Sequence, residues 1–117
     1  MDPSCKTSRW QLLKSQLKNL PPVDFLEAIR RSPEAIVLDV RTPEEMQSGA
    51  PLERAVGFDY LSHDFIDRLE QLDPKQTYYV YCRSGRRSTR VCTLLKNTGF
   101  EQVYNLDGGL KSMQSDK

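Results

Sequence analysis

The apolar positions of this chain follow two alternating patterns. Short unbroken runs, "AIVLDV" at 35–40 and "TYYVYC" at 77–82, have the form of strands buried on both faces of a sheet. Around them, apolar residues recur at helical spacing. "PPVDFLEAIRRSP" predicts a helix with Pro22 in its first turn, a Val23, Leu26 and Ile29 stripe, and a stop at Ser32-Pro33. After the first run, Thr42 as N-cap, Pro43 and Glu45 form a capping box that predicts a short helix. "SHDFIDRLEQL" reads as a helix capped by Ser62, with Phe65, Leu69 and Leu72 on one face, ended by Asp73-Pro74. "RRSTRVCTLLKNTG" reads as another, with Val91, Leu94 and Leu95 inward and Gly99 as C-terminal cap. "AVGF" and "QVYNL" are further short strands, and "DGGL" turns into a tail. At the start, "SRWQLLKSQLKNL" predicts a helix opened by Ser8 and Gln11 and carrying Trp10, Leu13, Leu17 and Leu20. The alternation implies an α/β fold, with a central, mostly parallel sheet of about four to five strands and helices on both faces.

With 117 residues, the chain can bury one core but not two. Seventeen basic against 16 acidic residues leave a formal charge of +1. No global charge therefore argues for a nucleic acid or membrane partner. Arginine is concentrated instead at positions 83, 86, 87 and 90, so any anion preference belongs to a site. No apolar run nears the roughly 18 residues of a membrane span, and "MDPSCKTSRW" lacks the apolar segment of a signal peptide. The expectation is a cytoplasmic protein. Cysteines 5, 82 and 92 are odd in number, which fits a reducing compartment. Their spacing matches no common zinc pattern, and the sole histidine is His63. Neither a metal nor a cofactor is expected.

The chemistry concentrates at "CRSGRRS", 82–88. Ligands of open parallel sheets bind beyond the carboxyl ends of the strands, where loops lead into helices. Cys82 stands at such an end. The loop that follows offers successive backbone N–H groups, the next helix presents its positive terminus, and Gly85 lets the chain curl. These features favour an anion at the loop's centre, and a cysteine thiolate is one. A buried filler is the ordinary role of a cysteine at a strand end, but core packing does not call for so many polar residues directly after it. Protein tyrosine phosphatases place an Arg six residues after their Cys. Here that position is Ser88, and Arg87 arrives one residue early.

Taken together, "LDVRTPEEM", "VYCRSGRRS" and "GFEQVYNLDGGL" resemble a single-domain rhodanese, in family order and spacing from about residue 20 to 111. The resemblance implies a sulfurtransferase. Its Cys82 would take the sulfane sulfur of a small anionic donor such as thiosulfate, or of a protein persulfide donor. It would hold that sulfur as a persulfide among the amides of 83–88 and pass it to cyanide or a thiol acceptor. In that scheme Arg83 and Arg86 attract the donor, Ser84 and Gly85 form the anion-binding loop, and Arg87 and Ser88 shape it from within. Asp39 and Arg41 support it from the neighbouring strand, or form an ordinary ion pair. A persulfide carrier, a non-catalytic binding module, and a phosphatase or arsenate reductase of related fold are the alternatives.

The chain departs from the family pattern twice. Ala50 stands where a histidine is usual, beside an apparent one-residue insertion, and Met113 replaces the tryptophan that usually follows Gly-Gly. Residues 1–18 lie outside the pattern as an N-terminal helical extension to a domain at 19–117, and suit packing or a contact surface. His63 reads as a surface residue, Cys92 as a buried filler, and Cys5 as part of an exposed tail.

Overall fold

A computed structural model describes residues 9–114. In chain order the elements are α1 (Arg9–Ser15), β1 (Lys18–Leu20), α2 (Pro22–Arg31), β2 (Ile36–Asp39), α3 (Pro43–Ser48) and β3 (Ala55–Gly57). These are followed by α4 (Phe65–Glu70), β4 (Tyr78–Tyr81), α5 (Arg86–Asn97), β5 (Val103–Leu106) and α6 (Gly109–Gln114). The five strands form one parallel sheet in the order β1-β5-β4-β2-β3. The expected mixed α/β architecture is therefore present, with β4 at its centre.

Strand periodicity divides the core in two. Successive side chains of a strand point to opposite faces. Leu38, Tyr78, Val80 and Cys82 accordingly pack on one side with Phe65 and Leu69 of α4 and Val91, Cys92 and Leu95 of α5. Val37, Tyr79, Tyr81 and Leu106 pack on the other with Phe25 of α2, together with Leu110 and Met113 of α6. Burial on both faces explains why β2 and β4 are unbroken apolar runs. Among the described residues no helix is long and apolar enough to cross a membrane.

Several elements differ from the sequence reading. The N-terminal helix stops at Ser15, and Lys18–Leu20 is an edge strand paired with β5. Asn19 ends the helix by donating its amide to Lys14 O at 2.7 Å and Leu17 O at 3.3 Å. Ser8 and Cys5 lie outside the described residues, as does the side chain of Trp10. On α2 the buried residue is Phe25, with Ala28 and Ile29 packed beside it, whereas Val23 is 72% exposed and Leu26 38%. The helical phase follows the phenylalanine, not the Val23–Leu26 pair. Leu94 of α5 is likewise exposed. Helix α4 begins at Phe65, because the Ser62 hydroxyl is engaged by the Asp64 carboxylate in a preceding turn. "DGGL" opens a six-residue helix where a tail was expected. The capping box of α3 forms as read, with Glu45 N donating to Thr42 Oγ1 and Thr42 N donating to Glu45 Oε1.

Candidate active site

Cys82 follows the last residue of β4, so its position comes from the most deeply buried strand of the sheet. Tyr78, Val80 and Tyr81 are all 0% exposed and Cys82 is 2% exposed. Strand parity sends the Cys82 side chain to the face covered by α5. There its sulfur accepts hydrogen bonds from Gly85 N at 3.1 Å and Ser88 N at 3.4 Å, and lies 3.5 Å from Ser88 Oγ. The Ser88 hydroxyl donates to Gly85 O at 3.2 Å, which ties the loop to the first turn of α5. Gly85, at the N-cap position, has φ +95°, a conformation that glycine reaches without steric penalty. The sulfur thus sits at the positive end of a 12-residue helix, faced by oriented N–H dipoles.

A hollow of about 430 Å³ opens above the sulfur, lined by Glu45, Cys82, Arg83, Ser84, Arg87 and Lys111. Arg83 and Ser84 are exposed at its edge. Arg86 is exposed on the first turn of α5 and is not among the lining residues. Arg87 donates from Nη1 to Glu45 Oε1 at 2.5 Å, which anchors α5 to α3. Burial raises the Glu45 pKa, but the hydrogen bonds from Thr42 N and from Arg87 outweigh it and hold the carboxyl below its ordinary range. Glu45 is therefore held in its ionised form, paired with Arg87.

Asp39 and Arg41 form a buried ion pair just behind this loop. Arg41 Nε donates to Asp39 Oδ1 at 3.0 Å and Nη2 to Oδ2 at 2.8 Å, with both residues essentially inaccessible. The register pairs Asp39 with Tyr81, and the Tyr81 hydroxyl donates to Asp39 Oδ2 at 2.7 Å while accepting from Leu52 N at 2.9 Å. Burial, opposed by the Leu52 amide and reinforced by Asp39, pushes the Tyr81 phenol far up, so it remains a donor. Arg41 Nη1 also reaches Glu45 O at 3.3 Å. A continuous polar chain thus runs from the residue before Cys82 to the helix that carries Glu45. Cys92 is buried at 1% exposure, and desolvation, with a smaller contribution from Cys82, pushes its thiol far up. His63 is exposed.

The sequence reading did not place Glu45, Lys111 or the Gly108-Gly109 pair at the site. Glu45 was legible only as a cap, because its second partner lies 42 positions away. Lys111 carried no signal of its own. Gly108 and Gly109 did carry one, since adjacent glycines mark a close backbone approach. The amides of Leu110 and Lys111 donate to Cys82 O and Arg83 O, both at 2.9 Å. This brings α6 so close that a Cβ on Gly109 would lie 2.4 Å from Arg83 O, at a φ of +66°. Gly109→Ala is expected to cost about 3 kcal/mol, from the left-handed backbone and the forced shift of the loop. Denaturant unfolding would measure the loss, and amide NMR shifts of residues 82–85 should move with it; unchanged shifts would contradict the contact.

Set against known proteins, residues 22–116 match the rhodanese-like domain family. The chain belongs to that family. YtwF of Bacillus subtilis is 32% identical over 101 residues, which cover 86% of this chain and 94% of that one. The thiosulfate sulfurtransferase GlpE of Pseudomonas putida is 31% identical over 98 residues, covering 83% and 84%. Among solved structures, the polysulfide-sulfur transferase homodimer of Wolinella succinogenes superposes with a TM-score of 0.77 over 92% of this chain and 80% of that one. At 21% identity that likeness is one of fold. In this rhodanese-like domain, the strand–loop–helix that cradles Cys82 and the glycine pair that braces it are the first and second halves of one construction.

Proposed function

We propose that the chain is a sulfurtransferase that works through a persulfide on Cys82. The observation that carries this reading is the sulfur itself: it ends the central strand, accepts from Gly85 N and Ser88 N, and faces a hollow with Arg83, Ser84 and Arg87 at its edge. In the first step the Cys82 thiolate attacks the outer sulfur of a small anionic donor such as thiosulfate. The sulfur–sulfur bond breaks, sulfite leaves with the bonding pair, and the outer sulfur stays on Cys82. In the second step a thiol or cyanide attacks that outer sulfur, and Cys82 is released as thiolate. Splitting the transfer in two is covalent catalysis, and the loop amides stabilise the negative sulfur throughout. Arg83 draws the donor in, Arg87 and Ser88 keep the loop in shape, and the Asp39–Arg41 pair supports it from behind.

The Arg87–Glu45 pair speaks against a phosphatase, since it occupies the guanidinium that would otherwise grip a phosphoryl group. Intact mass spectrometry after mixing with thiosulfate tests the proposal. The expected result is a gain of one sulfur atom that cyanide removes. No gain from thiosulfate, alongside a gain from a protein persulfide donor, would make the domain a carrier fed by another protein. No gain from either would leave only a binding role.

A further inference from the structure

A hollow elsewhere on the molecule has no part in the chemistry of Cys82. Of about 450 Å³, it lies beside the C-terminal half of α5 and shares no lining residue with the hollow above the sulfur. Its floor is apolar. Cys92, Phe100 and Val103 of the core on the α5 side line it, with Leu17 packed against them. Gly99 leaves the rim open, since a Cβ there would meet nothing within 4 Å. The volume falls within the range of small-molecule sites, about 300–1,000 Å³. Apolar surface left facing water forgoes about 25 cal/mol for each Å², so an apolar group placed on this floor is stabilised.

Two lysines tie the walls of this hollow together, each reaching from its own wall to the other. Lys96 of α5 donates from Nζ to Gln16 O at 2.8 Å, and Lys18 of β1 donates from Nζ to Glu101 O at 3.1 Å. All four residues line the hollow. A lysine so placed lays its methylenes along apolar surface and keeps its ammonium in water. Each ammonium carries three N–H donors, and the acceptor at each is a neutral carbonyl. Lys18 Nζ also stands 5.3 Å from the centroid of the Tyr104 ring. Neither lysine belongs to an ion pair among the described residues, and Glu101, the one acidic residue of the lining, pairs with neither. Two cations without a carboxylate partner, set over an apolar floor, complement an amphipathic anion. The Glu101 carboxylate on the same rim disfavours a doubly charged head and so selects a monoanion.

We infer that the hollow between α1, β1 and the end of α5 is a binding site for an amphipathic monocarboxylate of the fatty-acid class. Its tail lies on Leu17, Phe100 and Val103. Its carboxylate takes the N–H donors of Lys18 and Lys96 that now serve carbonyls, and in doing so bridges the two walls in their place. The site asks nothing of Cys82, so it stands apart from the sulfurtransferase reading.

The test titrates the full chain with octanoate, octanol and acetate and follows backbone amide NMR shifts. Octanoate is expected to move the amides of residues 16–18 and 96–103. Its affinity should exceed that of octanol, which keeps the tail without the charge, about tenfold, as two exposed ion pairs allow. Acetate, which keeps the charge without the tail, should leave those amides in place at the same concentrations. The double variant Lys18→Gln with Lys96→Gln retains a donor at each position and removes both charges. It should bind octanoate no better than octanol, with octanol binding unchanged. Equal affinities for octanoate and octanol in the unaltered chain, no shifts from either, or octanoate shifts centred on residues 83–88 would overturn the inference. A double variant that still prefers octanoate overturns it as well, because the head would then lie elsewhere.

Discussion

Cys82→Ser is expected to abolish sulfur loading and turnover, by roughly four orders of magnitude or more, as loss of a covalent nucleophile does elsewhere. A serine hydroxyl is not ionised at neutral pH and cannot form a persulfide. Stability should change by no more than about 1 kcal/mol. The replacement is nearly isosteric, and the new oxygen can still accept from Gly85 N and Ser88 N. Cys92→Ala supplies the contrast. That thiol packs among Val91, Leu95 and Val103 on the α5 face and is held protonated by burial. Its removal should cost about 1–2 kcal/mol as a small cavity but leave loading intact. Intact mass after thiosulfate, with thermal unfolding of each variant, separates the two roles. Sulfur gained by Cys82→Ser at the ordinary rate would end the proposed mechanism.

The largest loss of stability is expected from Asp39→Asn. The change keeps the shape but removes the carboxylate that pairs with the Arg41 guanidinium at 2.8 Å, and it puts an amide NH2, a donor, where an oxygen accepts from Arg41 or Tyr81. With Arg41 3% exposed, water cannot take over. Breaking one side of such a buried pair costs about 3–5 kcal/mol, roughly 15 °C in Tm for a domain of this size. Replacing both partners at once, Asp39→Leu with Arg41→Met, should be less damaging than Asp39→Asn, because the penalty comes from an uncompensated charge and not from the absence of attraction. Denaturant unfolding of the single and double variants would decide this. If the double variant is worse than the single, the pair is contributing net stability beyond mutual neutralisation.

What was legible in the sequence depended on how local its cause was. β2 and β4 stand out because burial on both faces demands unbroken apolar runs, and the α3 capping box needs only Thr42, Pro43 and Glu45. β1 was invisible because Lys-Asn-Leu has no strand preference of its own; its conformation comes from pairing with β5, more than 80 positions on. On α2, two apolar phases compete, and only the position of the sheet selects Phe25 over Val23. The candidate site divides in the same way. "CRSGRRS" announces the loop around the sulfur, since loop, glycine and helix start are contiguous. Glu45 as the partner of Arg87, Tyr81 as the donor to Asp39, and Lys111 beside Arg83 depend on contacts between distant parts of the chain that no local window contains.

The hydrogen bonds from Leu110 and Lys111 to the carbonyls of Cys82 and Arg83 also have a consequence for biosynthesis. The strand that leads to the thiol is made well before the segment that braces it, and β1 must wait for β5 before it has a neighbour. While the chain is still emerging from the ribosome, the sulfur therefore hangs on a loop lacking its last two supports. The centre is completed only when α6 arrives, so a nascent chain halted before Gly108 carries the cysteine and its cradle without the brace.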